Sequence, residues 1–534
     1  MTAVATRGTP VTSPKRRQPV PVLVLAGTAF VVTAVLRLVN VDRSGDLFVD
    51  ELIYRELGIS AAQGGFPRTE DGPFFLHPPG FFYLEAGWGK VFGFAPDVAA
   101  GVYEIRVLNA LLAAGTAALL VLVVARAGSR TAAVGAMAVF ALDPYIIRQN
   151  NRAMLDTETM FWVLAGYLVL LTLTKDTLPK KKNVRAMGAG LLFGLAVLTK
   201  EHSALITLVP LLLAVFLKWG PPRRLLLITG STAVMAYGLY FSVVAATGHL
   251  DAWWHAKYEG VNRLIGVVQE SGFNAPGTPS LAGRLTEELT TYGSTYAMLA
   301  LGPLALVILL RSANPAHRLL ALFYLSAGLT LLYALGKGTL EEQALYLLVV
   351  PNLLVLAVAF AALRERVGKR EREHAGQREQ RRARHALLVV AGVGFLVAAL
   401  TFSTASYAKG RLQSDDGYAQ LRTYMAQHVL AGSAVTAADG EAAGGTSKWA
   451  LKDRYRIGDW LTPRARAEEK VRYLVVPWKV IEDGYGRIKE QDARVLASQG
   501  RLLFSAEGRT YGTLALYELP LPPADAPPGA GHGR

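Results

Sequence analysis

Apolar runs of about 17–25 residues, long enough to cross a bilayer as helices, recur along the first three-quarters of the chain. They predict helices near 20–39, 104–125, 131–148, 157–174, 186–199, 201–217, 225–246, 294–310, 317–335, 342–363 and 386–404, about eleven in all. The stretch 186–217 is one apolar run interrupted by Lys200-Glu201-His202. It exceeds a single crossing and predicts two helices joined at an elbow. The run 20–39 lacks a small-residue cleavage site after it and reads as a retained first helix. Beyond about Ser403 the pattern changes: short β-rich runs at 471–476 and 514–518 alternate with helical patterns at 418–429 and 486–498. The expected fold is a polytopic α-helical membrane protein with a C-terminal extracytoplasmic α/β domain.

The basic residues orient these spans. Arg7, Lys15, Arg16 and Arg17 precede the first, and Arg126 and Arg130 lie between the second and third. Lys175 and Lys180-Lys181-Lys182 follow the fourth; Lys218, Arg223 and Arg224 follow the sixth; Arg311 and Arg318 follow the eighth. The segment 364–385 follows the tenth, with nine Lys/Arg against four Glu. If the spans alternate, all of these fall on one side, which the positive-inside rule makes cytoplasmic. The expected organisation is a basic cytoplasmic tail at 1–19, then a transmembrane domain at 20–404. This carries outside loops at 40–103 and 247–293 and a cytoplasmic basic loop at 364–385. The α/β domain follows at 405–519, and a Pro/Gly/Ala-rich tail at 520–534 is expected to be disordered. The segments 143–156, 200–202 and 337–342 also fall outside, at a plasma membrane with the N-terminus in the cytoplasm.

Composition agrees: 52% of residues are hydrophobic and 18% charged, against about 25% charged in soluble proteins. The net charge of +15 sits in clusters beside apolar spans, which suits orientation and anionic headgroups rather than nucleic acid. The absence of cysteine removes disulfides, thiolate nucleophiles and cysteine–zinc sites.

Ionisable residues accumulate at the outer ends of the predicted helices: Asp50, Glu51, His77, Arg106, Arg152, Asp156, Lys200, Glu201, His202, Arg263, Lys337, Glu341 and Glu342. Charge at membrane depth is costly and is usually paired or functional. Singly, each has a plainer reading. The Asp50-Glu51 pair is a solvated loop feature, the arginines snorkel to headgroups, and Lys200-Glu201-His202 is a wet elbow. Together on one face they form what transfer from a lipid-linked donor needs: a carboxylate to take a proton from an acceptor hydroxyl, and cations to hold a phosphate. His77, His202 and His255 lack metal-ligand spacing. The sequence requires no cofactor and leaves room for a divalent metal.

The ordered set of motifs resembles the GT-C glycosyltransferases, in the branch of the protein O-mannosyltransferases and the lipid A aminoarabinose transferase. It comprises Asp50-Glu51-Leu52-Ile53-Tyr54; His77-Pro78-Pro79 with an aromatic stretch ending at Phe92-Gly93; and Glu104-Ile105-Arg106-Val107-Leu108. Arg152 through Asp156, Thr199-Lys200, and Lys337-Gly338 with Tyr346 and Pro351 complete it. The resemblance covers roughly residues 20–363. It implies inverting transfer of a sugar from a polyprenyl-phosphate donor to a hydroxyl of a protein, glycan or lipid. Asp50 would be the general base, with Glu51 beside it. His77, Arg152, Lys200, Arg263, Lys337 and Tyr346 would handle donor phosphate or sugar, and Arg106 and Asp156 would order the donor site. The chain departs from the pattern at His77, commonly lysine in the aminoarabinose-type enzymes, and at Leu76, where those enzymes have an acidic residue. Tyr258-Glu259-Gly260 stands where some members carry Glu-His, and Glu341-Glu342 is an addition. Two other functions compete: a transporter or flippase, which predicts midplane charges on broken, repeated halves, and a non-catalytic envelope scaffold. In the C-terminal domain Trp449, Arg454, Tyr455, Asp459 and Trp460 read either as a glycan platform or as core.

Overall fold

The computed structural model describes residues 21–174, 179–268, 272–274, 278–373, 378–440 and 445–521. The expected tails at 1–19 and, past Leu521, at 520–534 lie outside these residues, as do parts of 247–293 and 364–385. Helices stand at all eleven expected places. In chain order they are α1 (Val22–Leu38), then α2 (Val49–Ala62) and α3 (Gly80–Phe92), then α4 (Val98–Ala127), α5 (Arg130–Leu142), α6 (Pro144–Asn151), α7 (Leu155–Leu171) and α8 (Pro179–Thr199). There follow α9 (Ser203–Leu217), α10 (Arg223–Ala246), α11 (Leu250–Leu264), α12 (Leu281–Glu287), α13 (Leu289–Leu310), α14 (Pro315–Gly336), α15 (Glu342–Glu373) and α16 (Arg378–Leu412). Among the described residues six helices are long and apolar enough to cross a membrane, or seven if the α5–α6 pair, bent by 59°, is one span. The chain is thus a multi-pass membrane protein. Helices α1 and α9, at 17 and 15 residues, fall below that length, so length and apolarity account for six or seven of the eleven expected crossings.

Local chemistry sets the helix starts. Asp97 accepts from the Ala100 N–H (3.0 Å) at the head of α4, and Ser129 from the Ala132 N–H (3.1 Å) at α5. Asp143 ends α5 and caps α6, accepting from the Ile146 N–H (2.9 Å), with Pro144 in the first helical position, where its missing N–H costs nothing. The Lys200 elbow separates α8 from α9 as the sequence predicts.

Two expectations change. The segment 40–103, read as a loop, is largely helical: α2 and α3 fold against each other around a short hairpin of β1 (Arg68–Thr69) and β2 (Gly72–Pro73). Phe81, Phe82, Leu57 and Tyr54 bury their side chains there. The segment 364–385 is likewise helical where described, because α15 continues to Glu373 and α16 resumes at Arg378.

The C-terminal domain starts after α16 ends at Leu412, later than the expected 405. It opens with α17 (Gly417–His428). Its five-stranded sheet has the order β4-β3-β5-β7-β6, formed by β3 (Ala434–Ala437), β4 (Arg456–Gly458), β5 (Tyr473–Pro477), β6 (Arg501–Gly508) and β7 (Gly512–Glu518). β3 pairs parallel with β4 and β5, whereas β7 pairs antiparallel with β5 and β6. Trp449 and Tyr455 are buried in its core, so the plainer reading holds for those two aromatics. That core continues into the membrane domain: Leu47, Leu52, Ala99 and Val102 pack with Tyr418, Leu421, Met425, Tyr511 and Leu514. Arg422 ties the two parts, donating to Asp97 (2.7 Å) and to both oxygens of Asp453 (2.8 and 2.9 Å).

Removing that guanidinium strands two carboxylates at the joint. We expect Arg422→Ala to lower the stability of the docked domain by about 3 kcal/mol, read as earlier thermal unfolding and faster proteolysis between α16 and α17 in detergent.

Candidate active site

The site forms where α2, α4, α6, α7, the Lys200 elbow and the head of α15 meet. At its base Glu51, in the first turn of α2, is fully buried and forms a two-pronged ion pair with Arg106 of α4 (Nε to Oε1 2.8 Å, Nη2 to Oε2 2.7 Å). Glu51 also accepts from the backbone N–H of Ala153 (2.8 Å) and of Phe48 (3.2 Å). Arg106 spends its remaining N–H groups on the carbonyls of Val41 (3.3 Å), Gly45 (2.6 Å) and Asp46 (2.7 Å). With every donor engaged and 2% of its surface exposed, Arg106 has nothing left for a phosphate. Its role is to order the backbone around α2. Glu51, occupied on both oxygens, has no access to a substrate and is not a catalytic group.

Asp50 differs from its neighbour. It is half-buried, and its carboxylate has no hydrogen-bond or ion-pair partner among the described residues. Burial pushes its pKa up to about 6, helped by the nearby Glu341 carboxylate and opposed by the charges of Lys200, Arg152 and Arg263.

Those cations are held by carboxylates of their own. Lys200 Nζ bonds both oxygens of Asp156 (2.9 and 3.1 Å), leaving its third N–H without a protein partner. Arg152 reaches Glu342 through Nη1 (3.3 Å) and lies over the Phe48 ring at 4.3 Å. Arg263, from α11, pairs with Glu341 (3.1 Å). His77 lies half-buried against Tyr54 and Phe74, with ring centroids 6.3 and 6.1 Å away. Burial and then the Lys200 charge hold its imidazole well below the usual range, so it is neutral at pH 7.

One further expectation is corrected. Tyr346 is fully buried beneath the site, its hydroxyl accepting from Asn150 (2.9 Å), which places it in the packing and away from a donor. Lys337 is exposed at the end of α14. His255 is exposed on α11 beside Glu259 (3.3 Å). Among the described residues no group of three or more His, Asp or Glu side chains is placed to hold a metal.

Sequence reasoning missed Arg148 and Lys257. Arg148 joins Glu342 (2.5 Å to Oε1, 3.2 Å to Oε2) and Tyr292 (3.0 Å). One turn before Arg152, it completes an i,i+4 pair of arginines, a signal present in the chain. Lys257 pairs with Glu201 and donates to the Leu76 carbonyl (3.1 Å). Glu85 of α3 was missed as well. Both of its oxygens are buried without hydrogen-bond partners among the described residues, and burial, with Glu158, holds its pKa well above the usual range.

With this geometry in place, comparison with known proteins is informative. Residues 86–262 match the model of the dolichyl-phosphate-mannose-protein mannosyltransferase family. Among solved structures, the chain is similar to ArnT of Cupriavidus metallidurans bound to undecaprenyl phosphate, with 13% identity, 93% of this chain and 97% of that one covered, and a TM-score of 0.58. It is also similar to the archaeal oligosaccharyltransferase AglB of Archaeoglobus fulgidus, in complex with an inhibitory peptide and a dolichol-phosphate. Here identity is 14%, coverage 92% and 74%, and the TM-score 0.56. These likenesses establish the GT-C fold. No curated protein matches the chain.

Breaking one side of a buried ion pair costs about 3–5 kcal/mol, because the other charge stays behind. We expect Glu51→Ala and Arg106→Ala each to destabilise the membrane domain by that order. The double variant should lose clearly less than their sum in a thermal-unfolding double-mutant cycle.

Proposed function

We propose that the protein transfers a sugar from a polyprenyl-phosphate donor to an acceptor hydroxyl at the membrane face that carries Asp50, with Asp50 as general base. The observation that carries this reading is the Asp50 carboxylate, without a partner among the described residues, beside the charges of Lys200, Arg152 and Arg263, each held in place by a carboxylate of its own. The donor phosphate binds those cations. The acceptor oxygen forms a bond to the anomeric carbon as the bond from that carbon to the phosphate oxygen breaks. Asp50 takes the hydroxyl proton, and the electron pair leaves with the polyprenyl phosphate, where Lys200 and Arg152 meet the charge that develops. Glu51 and Arg106 hold the first turn of α2, so that Asp50 reaches the acceptor without rearrangement. Two GT-C neighbours bound to polyprenyl or dolichyl phosphate, one with a peptide also bound, favour a lipid-linked donor and an acceptor of protein type. The charge pattern of the spans supports a reading with this face outside the cell and the N-terminus in the cytoplasm.

Asp50→Asn should lose about 10²–10⁴-fold in transfer, the usual scale of general-base catalysis. Its thermal unfolding should be unchanged, in contrast to Glu51→Ala. A base acts only when deprotonated. Transfer by the wild-type protein should therefore be level above pH 7 and fall about ten-fold per pH unit below its pKa of about 6. A rate that ignores pH between 4.5 and 8 would remove Asp50 from that role. Because side chains supply the countercharge, we expect EDTA to leave the rate unchanged; a chelator-sensitive rate restored by a divalent cation would show that a metal shares the phosphate.

A further inference from the structure

The pair α5–α6 bends by 59°, and a bend of that size frees backbone groups from the helical ladder. The last carbonyls of a helix have no partner within it, and at membrane depth no water takes that place. Pro144, four residues after Phe140, has no N–H to give. Two buried side chains from neighbouring helices supply the missing donors. Arg37 of α1 donates to the carbonyls of Phe140 (2.9 Å) and Ala141 (2.7 Å) at the end of α5, and to Asn150 Oδ1 (3.4 Å). Asn109 of α4 turns its Nδ2 to the end of α6. It donates to the carbonyls of Asn150 (3.0 Å) and Arg152, and to Thr157 Oγ1 (3.3 Å). Arg37 and Asn109 are both fully buried and so out of reach of a substrate.

The effect of this falls on Arg152, which leaves α6 in an extended conformation (φ −94°, ψ 142°). The peptide unit that joins it to Ala153 is held at both poles. Its carbonyl accepts from Asn109, and its N–H donates to Glu51 (2.8 Å). Asn109 lies three residues beyond Arg106, the partner of Glu51, so one face of α4 governs both poles. Carbonyls only accept, and an asparagine amide carries both of its N–H groups on one nitrogen, so a single orientation of Asn109 serves. A peptide unit fixed in this way fixes the direction in which the Arg152 side chain leaves the backbone. It runs across the Phe48 ring (4.3 Å) to Glu342 (3.3 Å). We infer that Asn109 is a positioning residue for transfer. It sets Arg152 where the leaving phosphate gains charge, and Arg37 holds the bend that brings α6 there. The pinning follows from these contacts alone; its effect on transfer rests on the function proposed above.

Asn109→Leu keeps the size and branching of the side chain and removes its donors; Asn109→Ala is the second variant. The full chain in vesicles would be given a panel of polyprenyl-phosphate hexoses and pentoses, and the donor that the wild type uses would be carried forward. Each variant should lower kcat about ten- to hundred-fold, the scale of a small misplacement, with little change in KM. On an Arg152→Ala background Asn109→Leu should cost nothing further, because the group it positions is gone. The Arg152 charge also opposes the upward shift of the Asp50 pKa. The fall in rate at low pH should therefore begin at a higher pH in both Asn109→Leu and Arg152→Ala than in the wild type. Either a loss repeated in full on the Arg152→Ala background or an unmoved pH profile overturns the positioning role. Failure of both Asn109 variants to accumulate as folded protein overturns it too. If the wild type transfers from none of the donors, the proposed function fails, and hydrogen exchange still decides the pinning. The amides of Ala153 and Met154 should then exchange faster in Asn109→Leu than in the wild type, and unchanged exchange overturns the pinning.

Discussion

The buried Glu51–Arg106 pair is the constraint around which the rest is arranged. Taking both charges out of water costs several kcal/mol per ion, and mutual attraction offsets this only when every other donor and acceptor is satisfied. Arg106 meets that requirement by gathering three carbonyls from the turn after α1, and Glu51 meets it with two backbone N–H groups from either side of the site. One ion pair therefore fixes the strand leaving α1, the start of α2 and the segment before α7. Asp50 sits one residue from this knot and takes its position from it.

The same rule explains why the site is not a bare patch of cations. Lys200, Arg152, Arg148 and Arg263 each have a carboxylate from a different part of the chain: Asp156, Glu342 or Glu341. These partners hold the cations at membrane depth in the absence of a phosphate. Asp50 is the carboxylate left over, and its raised pKa reflects burial without a dedicated partner. A resting site balanced in this way can take in an anionic lipid headgroup by adding to partial pairings, without exposing a naked charge to the bilayer.

The C-terminal domain belongs to this arrangement. Asp46 accepts from the N–H of Tyr418 at the head of α17 (3.1 Å), and the Tyr511 hydroxyl donates to the Leu47 carbonyl (2.7 Å). The short strap 44–48 is thus gripped from the membrane side by Arg106 and from the other side by the soluble domain. Nothing in the strap's own composition foretold this. Asp46 and Leu47 look like ordinary loop residues in the sequence, and their partners lie about 370 and 464 residues away.

Periodicity and charge alone determined where the helices run, where the elbow at Lys200 breaks them, that a mixed α/β domain follows, and that the ionisable residues cluster at helix ends. These properties depend on neighbours a few residues apart, and local sequence carries them. The helical nature of 40–103 was harder to read, because α2 and α3 are short and are stabilised by packing against each other. Only the tertiary structure decided how adjacent residues divide their work. Asp50 and Glu51 are both carboxylates at one helix start, yet one is sealed by an arginine 55 positions along the chain and the other is left free. Tyr346 was buried beneath the site, and Arg106 was committed to Glu51 and the backbone, by the same cause. Whether a charged or polar side chain is spent, buried or available depends on which partners packing brings to it, and no local pattern encodes that.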